Sequence, residues 1–156
     1  MSVKARFLKR LLEQQGRHDS FENKSQADLA LFRQRMHLLQ EEMEKWLKDS
    51  GIRVETFTVR LIDLLVGNSA FDVPGHQLRY EGRTIKFTPI FLYGQGVTGC
   101  VEATLCVEGK IIPLCRLFMR SGKATDWTCT QTGILSRPDR LLNEEVFFGI
   151  IEGLLP

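Results

Sequence analysis

Gly94-Gln95-Gly96-Val97-Thr98-Gly99, followed by Cys100-Val101-Glu102-Ala103-Thr104-Leu105-Cys106-Val107, is the stretch on which the reading of this chain turns. Its first six residues fit G-x-G-x-x-G, a turn known for cradling dinucleotide pyrophosphates. That chemistry needs a helix to open after the glycines, so that its free N–H groups meet the phosphates. Here apolar and polar residues alternate instead, which predicts a strand. The glycines therefore join two strands, and no cofactor is expected at them.

Working outward, the same alternation recurs on both sides. Gln77-Leu78-Arg79-Tyr80 and Thr84-Ile85-Lys86-Phe87 flank Glu81-Gly82-Arg83, a hairpin with glycine in its turn. Residues 99–107 and 110–119 flank Glu108-Gly109, which suits a two-residue turn at positive φ. Ile52–Val59 alternates as well, and Thr125–Gln131 supplies a last strand containing Trp127 and Cys129. Val101, Ala103, Leu105 and Val107 share one face of their strand. Ile112, Leu114, Arg116 and Phe118 on the partner strand do not divide cleanly, which predicts a sheet covered in part on both faces. Leu61–Gly75 fits strand, helix or loop alike, and Phe71–His76 is expected to be an exposed loop.

The first third reads as helical. Val3, Phe7, Leu8, Leu11 and Leu12 share one face of a short helix that should stop near Gly16. After a polar connection over 17–24, Ser25 is placed to cap a second helix, with Asp28 at the capping-box position. There Leu29, Phe32, Met36, Leu39, Met43 and Trp46 recur at alternating spacings of three and four, until Asp49-Ser50-Gly51 ends the helix. That rod would be roughly 36 Å long. Its seam spans fewer than three heptads, so it should pack on its own sheet; the alternative is self-association through it. Leu31 and Leu38 form a second apolar row. Near the C-terminus Asn143 caps a helix whose first turn holds Glu144 and Glu145, and Phe147, Ile150, Ile151 and Leu154 form its docking stripe.

The expected fold is α+β: two N-terminal helices, a meander-like antiparallel sheet of about five to six strands, and one C-terminal helix. The chain of 156 residues suits a single domain, helical over 1–50, sheet over 51–133 and helical over 142–155.

Composition excludes several function classes. With 43% hydrophobic and 26% charged residues the chain is ordinary for a globular protein. Residues 1–50 hold ten Lys/Arg against eight Asp/Glu, and residues 51–156 hold eleven of each, so no general drive toward nucleic acid or an anionic membrane arises. The first seventeen residues are more basic, but their aromatic, Phe7, belongs to the apolar stripe, which disfavours nucleic acid. No signal-like or membrane-spanning apolar run occurs, and no membrane role is expected. Cys100, Cys106, Cys115 and Cys129 lack metal-site spacing and read as buried, reduced thiols of a cytoplasmic protein.

No catalytic constellation emerges. Of His18, His37 and His76, only His76 has a plausible companion, Asp72 four residues earlier. Glu41, Glu42 and Glu44 sit beside Lys45 and Lys48 at helix-surface spacings. Ser121-Gly122-Lys123-Ala124-Thr125 imitates the end of a P-loop but has Ala124 where a metal-binding hydroxyl belongs.

Thr84–Gly94, continued by Gly99–Glu102 and by Asn143–Phe148, resembles a pattern found in small bacterial proteins with no established activity. In layout the chain is also similar to immunity proteins of bacterial toxin systems, being short, single-domain and free of cofactors. The resemblance implies a non-enzymatic protein that binds and occludes another protein, such as a toxin domain, or serves as an adaptor. Tyr80, Phe91, Tyr93 and Trp127, with His76 and Asp72, are the expected partner anchors. The alternatives are a homo-oligomeric structural or secretion-accessory protein, a homodimer for instance, assembling through Leu29–Trp46, and a small-ligand binder or enzyme using His76 and Gly94–Gly99.

Overall fold

The computed structural model describes residues 2–62, 70–94, 97–120, 127–131 and 140–156. One antiparallel sheet dominates it: β1 (Val54–Ile62), β2 (Ala70–Tyr80), β3 (Arg83–Gly94), β4 (Val97–Val107), β5 (Lys110–Arg120), β6 (Trp127–Gln131) and β7 (Arg140–Leu141). The seven strands pair strictly in chain order. Two of the connections are two-residue turns that hold both residues at positive φ, Glu81–Gly82 (44° and 83°) and Glu108–Gly109 (49° and 78°). Such turns match the right-handed twist of the strands they join.

The register gathers the apolar residues on one face. Thr56, His76, Phe87, Ala103 and Cys115 form one row across β1–β5, and Pro89, Val101, Leu117, Cys129 and Arg140 form another across β3–β7. Most of these side chains are buried. The opposite face carries Glu55–Gln77, Thr88, Glu102, Arg116 and Thr130, with Glu102 and Arg116 paired at 3.4 Å. A register shift beside Leu114 explains why β5 looked mixed: Ile112 lies opposite Leu105, whereas Cys115 lies opposite Ala103. One extra residue resets the alternation, as a bulge does. Beyond the shift Cys115 and Leu117 are buried and Arg116 is exposed, while residues 110–113 before it are all exposed; on β4 Cys100 and Thr104 are buried alongside Val101 and Ala103, so part of the sheet is covered on both faces.

A single helix, α1 (Val3–Trp46), runs through Gly16 and the polar connection, where the sequence predicted two helices. A mid-helix glycine costs only about 1 kcal/mol against alanine, and good helix formers on both sides offset it. Ser25 is consequently no cap; its Oγ is buried without a hydrogen-bond partner. Leu29, Phe32, Met36, Leu39, Met43 and Leu47 face the sheet, and Trp46 packs beside them. The seam proposed for self-association is thus occupied by the chain's own sheet.

At the C-terminus, α2 (Glu144–Ile151) and a 3-10 turn (Glu152–Leu154) complete the cover. Asn143 caps α2 as expected, its Oδ1 accepting from the Val146 N–H at 2.9 Å. Phe147 wedges between Trp46 and Phe87, with ring centroids 5.0 and 6.4 Å away. Arg83 donates from Nη1 to the Gly153 carbonyl at 3.0 Å and ties the turn to β3.

Gly99 explains the glycine-rich stretch. Gly94 ends β3 and pairs directly with Val97, the first residue of β4, so strand follows strand as predicted. Gly99 itself has φ 120°, and a Cβ built there would lie 3.1 Å from Met119 Sδ and 3.2 Å from Phe32 Cδ1. The missing side chain lets α1 press Phe32 against the sheet. Gly99→Ala should therefore lower the unfolding free energy by about 1–3 kcal/mol, since it meets both strain and contact. Gly109→Ala, with φ 78° but nothing within 4 Å of the new Cβ, should cost only the strain, about 1 kcal/mol. Urea denaturation of the two variants gives the comparison.

Candidate partner-binding surface

Length alone forces part of α1 off the sheet. Its 44 residues span about 66 Å. The sheet is roughly 29 Å across its seven strands and about 36–40 Å along strands of 11 or 12 residues. Even a diagonal crossing leaves an overhang. The seam begins at Leu29, and the N-terminal half lies beyond the sheet.

That overhang is amphipathic and exposed. Ser2 opens it, accepting from the Ala5 N–H at 3.1 Å. Every residue from 2 to 16 is exposed, including Val3 (74%), Phe7 (63%) and Leu12 (68%) together with Leu8 and Leu11. At 3.6 residues per turn these five cover one half of the circumference. Arg6, Lys9, Arg10 and Glu13 occupy the other half, and Lys4 can carry its charge out on its long stem. Eighteen residues make five turns, so in a straight helix Phe7 and Leu11 point where Met43 and Leu47 point. The apolar stripe continues the buried seam past the edge of the sheet. Burying such a side chain fully is worth roughly 1.5–3 kcal/mol, most of it unrealised here.

The residues expected to anchor a partner lie elsewhere, and most are committed to the fold. Trp127 is buried against Phe32, ring centroids 6.3 Å apart. Tyr93 donates from its hydroxyl to Asp28 Oδ2 at 2.7 Å, joining β3 to α1. Tyr80 is half-buried against the core, and Phe91 is half-buried with its ring 2.7 Å from where a Gly94 Cβ would stand. Phe71–His76, expected as a loop, lies inside β2, with Phe71 and His76 buried. Only Asp72 is exposed; it pairs with Arg60 at 3.3 Å, and its carbonyl accepts from Arg33 Nε at 2.8 Å. The periodicity of 3–12 was visible in the sequence, but nothing there showed that the helix would outrun its sheet.

Two clefts remain. One, of about 830 Å³, runs beside α1, where the second apolar row, Leu31 and Leu38, meets Trp46, Trp127 and Leu142. The other, of about 780 Å³, lies between β5–β7 and α2 and has Cys115, Cys129 and Arg140 in its wall. Among the described residues no three His, Cys, Asp or Glu side chains gather as a metal site. Ser121–Thr125 and the side chain of His18 lie outside the described residues. Also among the described residues, no helix is long and apolar enough to cross a membrane.

His76 does not share a mouth with the glycine bend. It pairs with Phe87, and seven residues of β3, roughly 23 Å, separate that point from Gly94. Instead it locks α1 to the sheet: Nε2 donates to the Met36 carbonyl at 2.7 Å, and Nδ1 accepts from Thr56 Oγ1 at 3.2 Å. A carbonyl can only accept, which fixes this tautomer. Burial holds the imidazole below its ordinary value of 6.5; the Met36 carbonyl and Glu44 oppose the shift and His37 reinforces it.

The unfolded chain thus takes up this proton before the folded one. Stability should be full above about pH 6.5 and fall as pH drops below it, levelling once the folded-state value is passed. Urea midpoints at pH 7.5 and 5.5 should show that loss. His76→Leu should flatten the slope and cost about 1–3 kcal/mol at pH 7.5, because the buried bond from His76 to the Met36 carbonyl is lost.

Comparison of the chain with family models, with curated proteins and with solved structures finds no match in any of the three.

Proposed function

We propose that this chain is a non-enzymatic cytoplasmic binding protein, of the adaptor or immunity kind, that acts by occupying the surface of a partner protein. The observation that supports this reading is the exposed amphipathic half of α1, whose stripe of Val3, Phe7, Leu8, Leu11 and Leu12 is left outside the core. Such a stripe suits the helix-in-groove mode, in which apolar anchors at spacings of three and four enter a cleft. The chemistry of the partner follows from charge. Residues 2–16 carry Lys4, Arg6, Lys9 and Arg10 against Glu13, so the groove should be apolar with an acidic rim. The same charge disfavours pairing two of these helices with each other.

A second reading has one observation in its favour. The cleft beside Leu31 and Leu38 is itself apolar and is edged by Glu41, Glu42 and Glu144, though also by Arg35 and Lys45. The overhang of a second copy could lie in it, giving a homo-oligomer whose contact differs from the Leu29–Trp46 seam.

A photo-crosslinking residue placed at Phe7, and in a control at Lys86 on the open sheet face, separates these readings in cells of the native host. The proposal expects one defined heterologous adduct from position 7 and none from position 86. Phe7→Glu or Leu8→Glu should weaken that complex at least about tenfold. Stability should stay within about 0.5 kcal/mol, because both side chains are exposed. An adduct of two copies of this chain establishes the second reading. Capture of position 7 only by vesicles of anionic lipid would remove both.

A further inference from the structure

We propose that Cys115 and Cys129 form a redox-active dithiol, which hydrogen peroxide closes to a disulfide. This site is independent of the binding helix, because it lies in the sheet beneath α2.

The ladder brings the two thiols together. Leu117 lies opposite Cys129, and Cys129 lies opposite Arg140 on β7. Residues opposite one another in an antiparallel pair project from the same face, as do residues two apart on one strand. Cys115, Cys129 and Arg140 therefore share one face, in the wall of the cleft under α2. Both cysteines are free and largely buried, and their thiols are near enough for each to shift the other's ionisation.

That proximity gives them unequal chemistry. The interaction between the thiols raises the value of Cys115 and lowers that of Cys129; burial opposes the lowering, and Arg140 adds to it. A thiol beside a guanidinium is the more readily ionised nucleophile. Cys100 is the contrast: burial pushes it up to about 12.

The steps balance. The Cys129 thiolate attacks one peroxide oxygen, the O–O bond breaks, and hydroxide leaves to become water, giving a sulfenic acid. Cys115 loses its proton and attacks the sulfenic sulfur. The S–O bond breaks, a second water leaves and the S–S bond forms. Two thiols are oxidised and one peroxide is reduced to two waters. Diagonal partners stand roughly 7–8 Å apart at Cα, beyond the usual disulfide span of about 4.4–6.8 Å. Closure must therefore draw β6 inward. A bond made under strain is easily reduced, which suits the transient, sensing disulfides of reducing compartments.

Reduced full-length protein is exposed to hydrogen peroxide, blocked with iodoacetamide and mapped without reductant. The expected result is the loss of two hydrogen atoms per chain, a single linked peptide pair containing Cys115 and Cys129, and full reversal by dithiothreitol. In Cys115→Ser, dimedone should trap a sulfenic acid on Cys129. In Cys129→Ser, trapping at Cys115 should be at least about tenfold slower. Wild-type protein that keeps all its hydrogens, a link through Cys100 or Cys106, or equal trapping at both positions overturns the proposal. The mapping of unaltered protein holds even if a serine variant fails to fold.

Discussion

The whole molecule rests on the contact between one helix and one sheet. A seven-stranded meander with a buried face needs a cover, and the C-terminal half of α1 supplies most of it. Phe32, Met36 and Met43 are wholly buried there, in a class of side chain whose truncation to alanine typically costs about 2–5 kcal/mol. The fit depends on two concessions by the sheet. Gly99 omits a side chain where Phe32 presses in, and His76 offers a neutral N–H to the helix backbone at Met36. With the contact in place, α2 can close the remaining corner through Phe147.

The same constraint leaves an apolar surface exposed. A helix about 66 Å long cannot hide on a sheet whose diagonal is roughly 48 Å. The apolar stripe keeps its phase across the edge, from Met43 and Leu47 back to Phe7 and Leu11, so the overhang behaves as more of the same seam with nothing beneath it. An apolar strip of this size on an exposed helix is a site awaiting an occupant. The other face of the sheet carries Thr88, Thr130 and the Glu102–Arg116 ion pair beside half-buried Phe57 and Phe118. The exposed overhang thus follows from a mismatch of lengths, with Trp127 absorbed into the core and Tyr80 and Tyr93 half-buried against it.

Much of the fold was legible because its signals are local. Alternation marked β1, β4, β5 and β6 and the facing ends of β2 and β3, the positive-φ turns sat at Glu81–Gly82 and Glu108–Gly109, and Asn143 with two acids marked α2. Three features escaped for physical reasons. Gly16 reads as a stop because one glycine does cost helix stability, yet nothing at that site required the helix to end. Leu114 confused the faces of β5, since a one-residue slip inverts every following side chain. β7 has only two residues, too few for any periodicity. Residue type alone does not decide exposure: Tyr80 and Tyr93 are half-buried and Trp127 is buried, while the exposure of Phe7 and Leu8 is set by how far the sheet extends.

Hydrogen exchange of the isolated protein, followed residue by residue, probes this account most directly. Amides of residues 29–47 should exchange slowly and together with those of β2–β4, as one cooperative unit. Amides of residues 3–16 should exchange far faster, at a rate that does not change with protein concentration. If residues 3–16 were as protected as 29–47 in the isolated chain, the stripe would already be covered and the central claim would fail.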